Sequence, residues 1–218
     1  MSETHILPSG RILRYNFRER IVHWVAAASY VYLLLTGLAL WSPWLFWIAV
    51  VLGGGTVSRD FHPWVGLIFV AAVLRMYRMW SAEMKETSAD RAWWRAVGHY
   101  MRNEDDQVPS ADRFNPGRKL VFWGFLSCGI LLLLSGLVLW LTASIPWSLR
   151  SLRYVAIIVH PAIALLTIGL FMVHVYMGTA AERGAFHSVL RGDVSRAWAQ
   201  SHHRIWFEHI LRSATPNK

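Results

Sequence analysis

The sequence predicts an all-α membrane protein in which four transmembrane helices form a bundle. Of its 218 residues, 55% are hydrophobic and only 16% are charged, whereas soluble domains average about 25% charged residues. Four apolar windows match the length of roughly 20 residues (about 17–25) that a helix needs to cross a bilayer. The basic residues are also unevenly distributed among the segments that connect these windows. Composition, window length and charge asymmetry together indicate a single multi-pass domain, residues 1–218.

The four windows define the predicted spans, which run from about residue 21 to 41, from about 64 to 80, from 120 to about 142 and from about 152 to 177. A further apolar stretch, residues 44–52, is too short to cross a bilayer as a helix. We expect it to be an interfacial or re-entrant segment. Pro63 is expected in the first turn of the second span, where proline is well tolerated. Pro161 is expected inside the fourth span, where it removes a backbone hydrogen bond.

The basic residues predict the orientation of the chain. Nineteen of the 22 Lys and Arg residues lie before the first span, at the C-terminal end of the second span or between it and the third, or after the fourth. Only Arg59, Arg150 and Arg153 lie in the other two connections or at the helix end next to them. The positive-inside rule then places both termini, the loop at about residues 81–118 and the tail at about residues 179–218 in the cytoplasm. The net charge of +9 therefore reflects topology and lipid headgroups, not nucleic-acid binding.

Four histidines lie on the predicted spans and fall at two depths. His23 is at the inner end of the first span and His62 at the outer end of the second. His160 and His174 are fourteen residues apart on the fourth, a separation of about 21 Å and nearly four full turns of α-helix. Both imidazoles therefore leave one face of one helix, near opposite leaflets. Depth pairs His62 with His160 in the outer leaflet, and His23 with His174 in the inner leaflet.

Two histidine pairs at two depths predict two b-type haems, each held by two imidazoles. The sequence has no C-x-x-C-H motif and only one cysteine, Cys128, so each haem would be bound non-covalently. A proton relay or a metal-transport site is the alternative. The alternative is disfavoured because the four spans contain no Asp or Glu. Taken singly, His23 and His62 also fit the role of interfacial polar residues.

Two further features have both a functional and a simpler interpretation. His202 and His203 are adjacent, so on a helix their side chains point about 100° apart. We expect them on a basic interfacial helix and not in a metal site. Glycines on the spans suit the close approach of a macrocycle, but for the glycines alone ordinary helix packing is the favoured explanation. These glycines are Gly37, Gly66, Gly129, Gly136 and Gly169.

Five segments of the chain resemble a known family, in the family's order, from about residue 14 onwards. They are FRERIVHW (17–24), FHPWVGLIF (61–69), FNPGRKLVFW (114–123), IIVHPAIALLTIGLFMVHVYM (157–177) and GDVSRAWAQSHHRIWFEH (192–209). The family is the γ subunit, cytochrome b556, of membrane-bound respiratory formate dehydrogenase. The tail motif separates it from more distant di-haem cytochromes b, such as the b subunits of hydrogenase and thiosulfate reductase.

The resemblance implies the same haem-ligand pairs that depth suggests. It also implies a pocket for menaquinone or ubiquinone beside the inner haem, next to His174. In the family this pocket includes an Asn-x-Gly element, which Asn115 and Gly117 match here. Two residues depart from the family pattern: Pro116 stands inside the element, and Arg118 replaces a usual glutamine.

The resemblance further implies a function in formate respiration at the bacterial cytoplasmic membrane. The chain would anchor the complex and pass electrons from an iron–sulfur (β) subunit through two haems to quinone. Formate oxidation would take place on an α subunit that holds molybdenum or tungsten, so we expect no catalytic residue in this chain. The sequence leaves open whether the complex forms a higher oligomer.

Three alternatives to this function remain at this point. The chain could be the cytochrome b subunit of a hydrogenase, a stand-alone di-haem quinone oxidoreductase, or a non-redox scaffold or transporter. The outer arginines, Arg59, Arg150 and Arg153, would neutralise haem propionates, dock the iron–sulfur partner, or simply anchor the helix ends at the interface.

Overall fold

The computed structural model describes residues 5–102 and 104–214, with the side chain of Asp105 excepted, so that Lys218 of the basic tail lies outside it. Ten α-helices and two short strands are found in the described part. In chain order they are β1 (Ile12–Leu13), α1 (Phe17–Trp41), α2 (Phe46–Val51), α3 (Gly55–Trp80), α4 (Ser88–Arg95), α5 (Val97–Met101), α6 (Pro116–Trp140), α7 (Ser151–Tyr176), α8 (Ala185–Arg191), β2 (Asp193–Val194), α9 (Arg196–His202) and α10 (Arg204–Ala214).

Four of these helices, α1, α3, α6 and α7, are long and apolar enough to cross a membrane. This confirms the four predicted spans. The apolar stretch at residues 44–52 forms a 3-10 turn at Pro43–Leu45 and the six-residue helix α2. As predicted, it is too short to span. The π-helical turn Met177–Ala181 extends α7 at its end.

The start of α3 differs from the prediction. The helix begins at Gly55 and not at Trp64, so Pro63 lies inside it and not in its first turn. Gly53 and Gly54 adopt φ angles of 100° and 106°, which end α2 and turn the chain into α3. Polar residues then fill the first turns of α3, and for that reason the apolar window starts later than the helix. Pro161 lies inside α7, as predicted.

The chain divides into two compact units. The first unit comprises Met1–Arg20, Met79–Phe122 and Met172–Lys218, and the second unit comprises Ile21–Arg78 and Trp123–Phe171. The second unit contains most of the spans. Its core is built around Tyr30, whose ring packs against Phe69, Phe125 and Phe171. The Tyr30 hydroxyl lies 3.1 Å from the hydroxyl of Thr167, which satisfies both polar groups inside an apolar core.

The first unit assembles the N-terminal segment, the long loop and the tail. Strands β1 and β2 pair antiparallel, with Ile12 opposite Val194, a two-stranded sheet that the all-α prediction missed. Ile12 and Val194 belong to a buried cluster with residues of α8, α9 and α10. The cluster also contains Ala185, Trp198, Ala199, Trp206, Phe207 and Ile210.

Buried ion pairs join the long loop of the first unit to the starts of α1 and α6. Arg113 of the long loop contacts Glu19 at the start of α1 at 2.7 Å. Trp80 also donates its indole N–H to Glu19, at 2.6 Å. Lys119 of α6 contacts Asp90 of α4 at 2.7 Å, and both side chains are 8% exposed. Breaking such a pair leaves an uncompensated buried charge, so these contacts fix how the segments fold together.

Gly192 is the tightest backbone position in the first unit. Its φ is +95° and an added Cβ would lie 2.6 Å from the carbonyl oxygen of Tyr15. The Gly192 carbonyl in turn accepts hydrogen bonds from the backbone N–H groups of Arg14 and Tyr15, at 2.7 and 2.9 Å. Only glycine fits this junction without strain.

We predict that Gly192→Ala lowers the stability of the protein by at least about 1–3 kcal/mol, the cost of a strained backbone, with the steric clash in addition. Thermal unfolding in detergent, followed by circular dichroism, measures the effect. Gly178→Ala is the matched control, because its Cβ would meet nothing within 4 Å. Equal melting temperatures for the two variants would contradict the prediction.

Candidate haem and quinone sites

The structure brings His62 and His160 together within the second unit. Their ring centres are 6.2 Å apart and their planes are inclined by 65°. Two imidazoles that bind one iron from opposite sides place their ring centres about 6 Å apart, because each metal–nitrogen bond is about 2 Å long and each ring centre lies about 1 Å behind its nitrogen. The observed separation therefore fits two axial ligands of one haem iron.

Each of these imidazoles is held by a buried hydroxyl on another helix. His62 Nδ1 lies 2.7 Å from Thr36 Oγ1, and His160 Nδ1 lies 3.0 Å from Ser135 Oγ. Each hydroxyl also lies close to a backbone carbonyl of the preceding turn, at 2.8 and 2.7 Å. A hydroxyl that donates to this carbonyl accepts the Nδ1–H of the imidazole, and all three groups are then satisfied. This tautomer leaves the Nε2 lone pair free for a metal.

A glycine follows each of the two hydroxyl residues and makes room for the same imidazole. An added Cβ at Gly37 would lie 3.4 Å from His62 Cε1, and one at Gly136 would lie 3.2 Å from His160 Cε1. A Thr-Gly and a Ser-Gly pair thus repeat one arrangement, in which the hydroxyl holds the ring and the glycine accommodates it. The sequence indicated the two glycines but not Thr36 and Ser135. The Thr-Gly and Ser-Gly dipeptides on the spans could have pointed to both hydroxyls.

A metal held by side chains alone is not supported in the described part of the chain. There, no group of three or more His, Cys, Asp or Glu side chains is arranged to hold a metal ion. A zinc or transport site would normally need such a group. A haem iron needs only two axial ligands from the protein, since the porphyrin supplies the other four. The paired imidazoles suit a haem better than a bare metal.

The other predicted pair, His23 and His174, is divided between the two units. His23 lies on α1 in the second unit, where its ring packs edge-on against Trp24 with 5.4 Å between ring centres. His174 lies on α7 in the first unit, close enough to Arg118 for the guanidinium charge to act on the imidazole. Their pairing stays a prediction.

Asn115 and Gly117, the predicted quinone residues, lie at the start of α6. Asn115 is 4% exposed, and its Oδ1 accepts the backbone N–H of Arg118 at 3.0 Å. This is the contact of a helix N-cap. The Asn115 amide also donates to the hydroxyl of Tyr100 at 3.4 Å. Pro116 occupies the first turn of α6, where the missing N–H has no partner to lose.

Arg118, the second departure from the family pattern, is held by two groups of the tail. Its Nη2 donates to Glu182 Oε2 at 2.6 Å and its Nη1 to His203 Nε2 at 2.7 Å. Burial alone would raise the pKa of Glu182, but the positive charges of Arg118 and Arg14 hold it well below the usual range. Glu182 is therefore ionised at neutral pH.

His203 was expected on a basic interfacial helix, but it is fully buried at the junction of α9 and α10. Its Nδ1–H donates to the backbone carbonyl of Asp112. Its Nε2 accepts from Arg118 and, at 3.1 Å, from Arg14. Burial and the charge of Arg14 lower the pKa of His203 to about 3. A neutral histidine thus bridges two buried arginines. His202 remains partly exposed and packs against Trp198, with 5.2 Å between ring centres.

Arg14 completes this polar cluster of the first unit. The side chain is 2% exposed, and its guanidinium carbon lies 4.7 Å from the ring centre of Trp198 and 5.3 Å from that of Trp206. Burial lowers the pKa of Arg14 to about 10. Cation–π contacts with these two rings stabilise the guanidinium charge of Arg14, in addition to its hydrogen bonds. No sequence motif distinguished Arg14, because basic residues before a span are usually explained by the positive-inside rule.

The arginines of the predicted outer connections make only local contacts. Arg59 lies 3.5 Å from Asp60 in an exposed pair, and the guanidinium of Arg150 lies 4.2 Å from the ring centre of Trp147. The backbone N–H of Arg153 donates to the carbonyl of Arg150 at 3.1 Å. These contacts favour interfacial anchoring and leave docking and propionate roles as predictions.

Comparison with known proteins agrees with the haem geometry. The sequence profile of the prokaryotic cytochrome b561 family matches residues 14–192. The cytochrome b556(fdo) subunit of formate dehydrogenase from Escherichia coli (strain K12) is 30% identical over 204 residues, covering 93% of this chain and 94% of that protein. The nitrate-inducible cytochrome b556(Fdn) subunit from the same strain is 25% identical over 206 residues, covering 94% of each chain.

A third relative extends the comparison beyond one species. The formate dehydrogenase cytochrome b556 subunit of Haemophilus influenzae (strain ATCC 51907 / DSM 11121 / KW20 / Rd) is 29% identical over 214 residues, covering 97% of this chain and 89% of that protein. The family profile covers all four spanning helices in full, and a cytochrome b561 implies haem b as the cofactor. The chain belongs to the prokaryotic cytochrome b561 family.

Proposed function

We propose that the chain is the membrane-anchoring cytochrome b subunit of a formate dehydrogenase, which takes electrons from an iron–sulfur subunit and delivers them to a membrane quinone. The observation that carries the haem part is the 6.2 Å separation of the His62 and His160 rings. The names of the relatives, formate dehydrogenase cytochrome b556 subunits, support formate as the source of electrons. Formate itself would be oxidised on a molybdenum or tungsten subunit.

Four histidines would hold two haems. His62 and His160 would bind the outer iron through Nε2, and His23 and His174 would bind the inner one. Haem b, when bound, supplies one-electron transfer between the partner subunit and the quinone. The chain contributes the fixed depth of the ligands, their tautomers and the apolar surroundings. Thr36 and Ser135 are part of this contribution, because each would hold the proton of one ligand on Nδ1.

The inner quinone pocket would use Asn115, Gly117 and His174. Asn115 is buried, and its amide has a second N–H beyond the one directed at Tyr100, available to a quinone carbonyl oxygen. The quinone would be menaquinone or ubiquinone. Both termini, the long loop and the tail would face the cytoplasm of a bacterium, since they carry nearly all of the Lys and Arg residues.

For the ligands, we predict that His160→Ala loses the outer haem and retains the inner one. The remaining imidazole cannot hold the iron from both sides, so the purified variant should contain one haem in place of two by absorption spectroscopy. His174→Ala should lose the inner haem instead, together with quinone reduction. His209→Ala is the control, since His209 is exposed on α10. Retention of both haems in His160→Ala would contradict the assignment of His160 as a haem ligand.

For the hydroxyls, we predict that Thr36→Val raises the midpoint potential of the outer haem and leaves the inner one unchanged. A hydrogen-bonded Nδ1–H makes the imidazole more electron-donating and favours oxidised iron, so its loss favours reduced iron. Thr36→Ser keeps the hydroxyl and should keep the wild-type potential. Redox titration of the two haems measures both. An unchanged outer potential in Thr36→Val would show that the hydroxyl does not tune the ligand.

For the whole function, we predict that purification in mild detergent recovers an iron–sulfur subunit and a pterin subunit with this chain. Formate should then reduce the haems and the quinone. Asn115→Ala should impair quinone reduction while formate still reduces both haems, because the haem ligands are untouched. Recovery of the chain alone, or haems that formate does not reduce, would argue for a stand-alone oxidoreductase.

A further inference from the structure

A polar cleft in the first unit connects the protein surface with the proposed quinone residues. Its outer rim includes Ser110 and Ser201, which are exposed. Its inner wall includes Asn115 and Glu182, each 4% exposed. Tyr100, whose hydroxyl accepts from the amide of Asn115, also lines the cleft. The cleft therefore leads from the solvent-exposed rim to two deeply buried polar side chains, one of which is the proposed quinone contact.

The carboxylate of Glu182 presents one oxygen without a hydrogen-bond donor. Oε2 is bonded to Arg118, but Oε1 is buried and has no hydrogen-bond partner among the described protein groups. His203 Nε2 is 3.6 Å from it and cannot donate, because its proton is on Nδ1 and Nε2 accepts from two arginines. A buried carboxylate oxygen without a donor is costly, and it is the kind of group that an internal water satisfies.

The charges around Glu182 keep it an acceptor. Arg118 faces it from α6, Arg14 from the segment after β1, and His203 from the junction of α9 and α10. The two arginines hold the pKa of Glu182 far below neutral, although burial opposes them. Glu182 therefore stays negatively charged and attracts a hydrogen-bond donor or a hydrated proton, without itself having to store the proton.

Quinone reduction requires such a supply of protons. One quinone takes up two electrons and two protons, and an O–H bond forms on each of its two oxygens to give the quinol. In the proposed function the electrons come from formate through the partner subunits. The protons must come from water. The acidic residues of the four spanning helices are Glu19 and Asp60, which lie near the starts of α1 and α3 and are paired with Arg113 and Arg59. A buried site needs a path along which water can reach it.

We propose that this cleft is the water and proton path to the quinone site, and that the free oxygen of Glu182 holds its innermost water. The inference rests on the proposed function, since it assigns the proton source for the same quinone. Asn115 would then lie between the quinone oxygen, which receives the proton, and the cleft, through which the proton arrives. Glu182 is a positioning residue, because it acts through water.

The test uses the intact complex with two variants. One blocks the rim of the cleft, and the other removes the charge of Glu182. Ser201→Leu places an apolar side chain at the rim and leaves Arg118 untouched. Glu182→Gln keeps the shape of the side chain and removes its charge. Ser213→Leu is the matched control, a serine that is equally exposed on the same tail but lies outside the cleft. Formate-driven haem reduction and quinol formation are followed separately, in H₂O and in D₂O.

In Glu182→Gln we expect kcat for quinol formation to fall by about 100-fold, the lower end of what a positioned proton-transfer group contributes. Ser201→Leu should also lower kcat for quinol formation. Both variants should show a larger solvent isotope effect, with KM for quinone, haem content and haem reduction unchanged. Ser213→Leu should match the wild type throughout.

Two results would overturn the inference. One is a wild-type kcat and isotope effect in both cleft variants. The other is a raised KM for quinone with kcat unchanged, which would make the cleft the quinone's own pocket. If Glu182→Gln fails to assemble, Ser201→Leu alone decides, because its side chain is exposed. A wild-type complex that forms no quinol at all would instead refute the proposed function, so the two failures are distinct.

Discussion

The hydrogen bonds from two imidazole Nδ1–H groups to Thr36 and Ser135 are the contacts on which the haem interpretation depends. Each hydroxyl also lies within hydrogen-bond distance of a helix carbonyl, so the tautomer with Nδ1–H satisfies the imidazole, the hydroxyl and the carbonyl together. Both Nε2 atoms are left as free electron pairs on rings 6.2 Å apart. Without these two hydroxyls the rings could turn or change tautomer, and the same histidines would be ordinary polar residues in an apolar core.

A second set of contacts organises the first unit by electrostatics. Arg14, Arg118, Glu182 and His203 are gathered from the N-terminal segment, α6 and the tail, and a neutral histidine lets two cations share one acceptor. This arrangement gives the tail a role that its basic composition does not suggest. The tail supplies the groups that fix Arg118 next to Asn115, and it forms one wall of the cleft that reaches the proposed quinone contact.

The sequence predicted the spans well, because apolar length alone decides which helices can cross a membrane. It misplaced the start of α3, since the polar first turns after Gly54 carry no hydropathy signal. The closeness of His62 and His160 also followed from the predicted topology. His203 was misjudged because adjacent histidines in a basic stretch are typical of a surface, and only long-range contacts with Asp112 and Arg118 bury it. Thr36 and Ser135 were missed because a hydroxyl in a span is commonly satisfied by its own helix.

We propose that this one chain holds two haems, each between two histidines. The most direct test is the haem content of the purified chain, measured as b-type haem per polypeptide together with the spectrum of the oxidised protein. We expect two haems per chain, both low-spin with two imidazole ligands. A single haem, or a high-spin spectrum that reveals an iron with only one histidine, would contradict it.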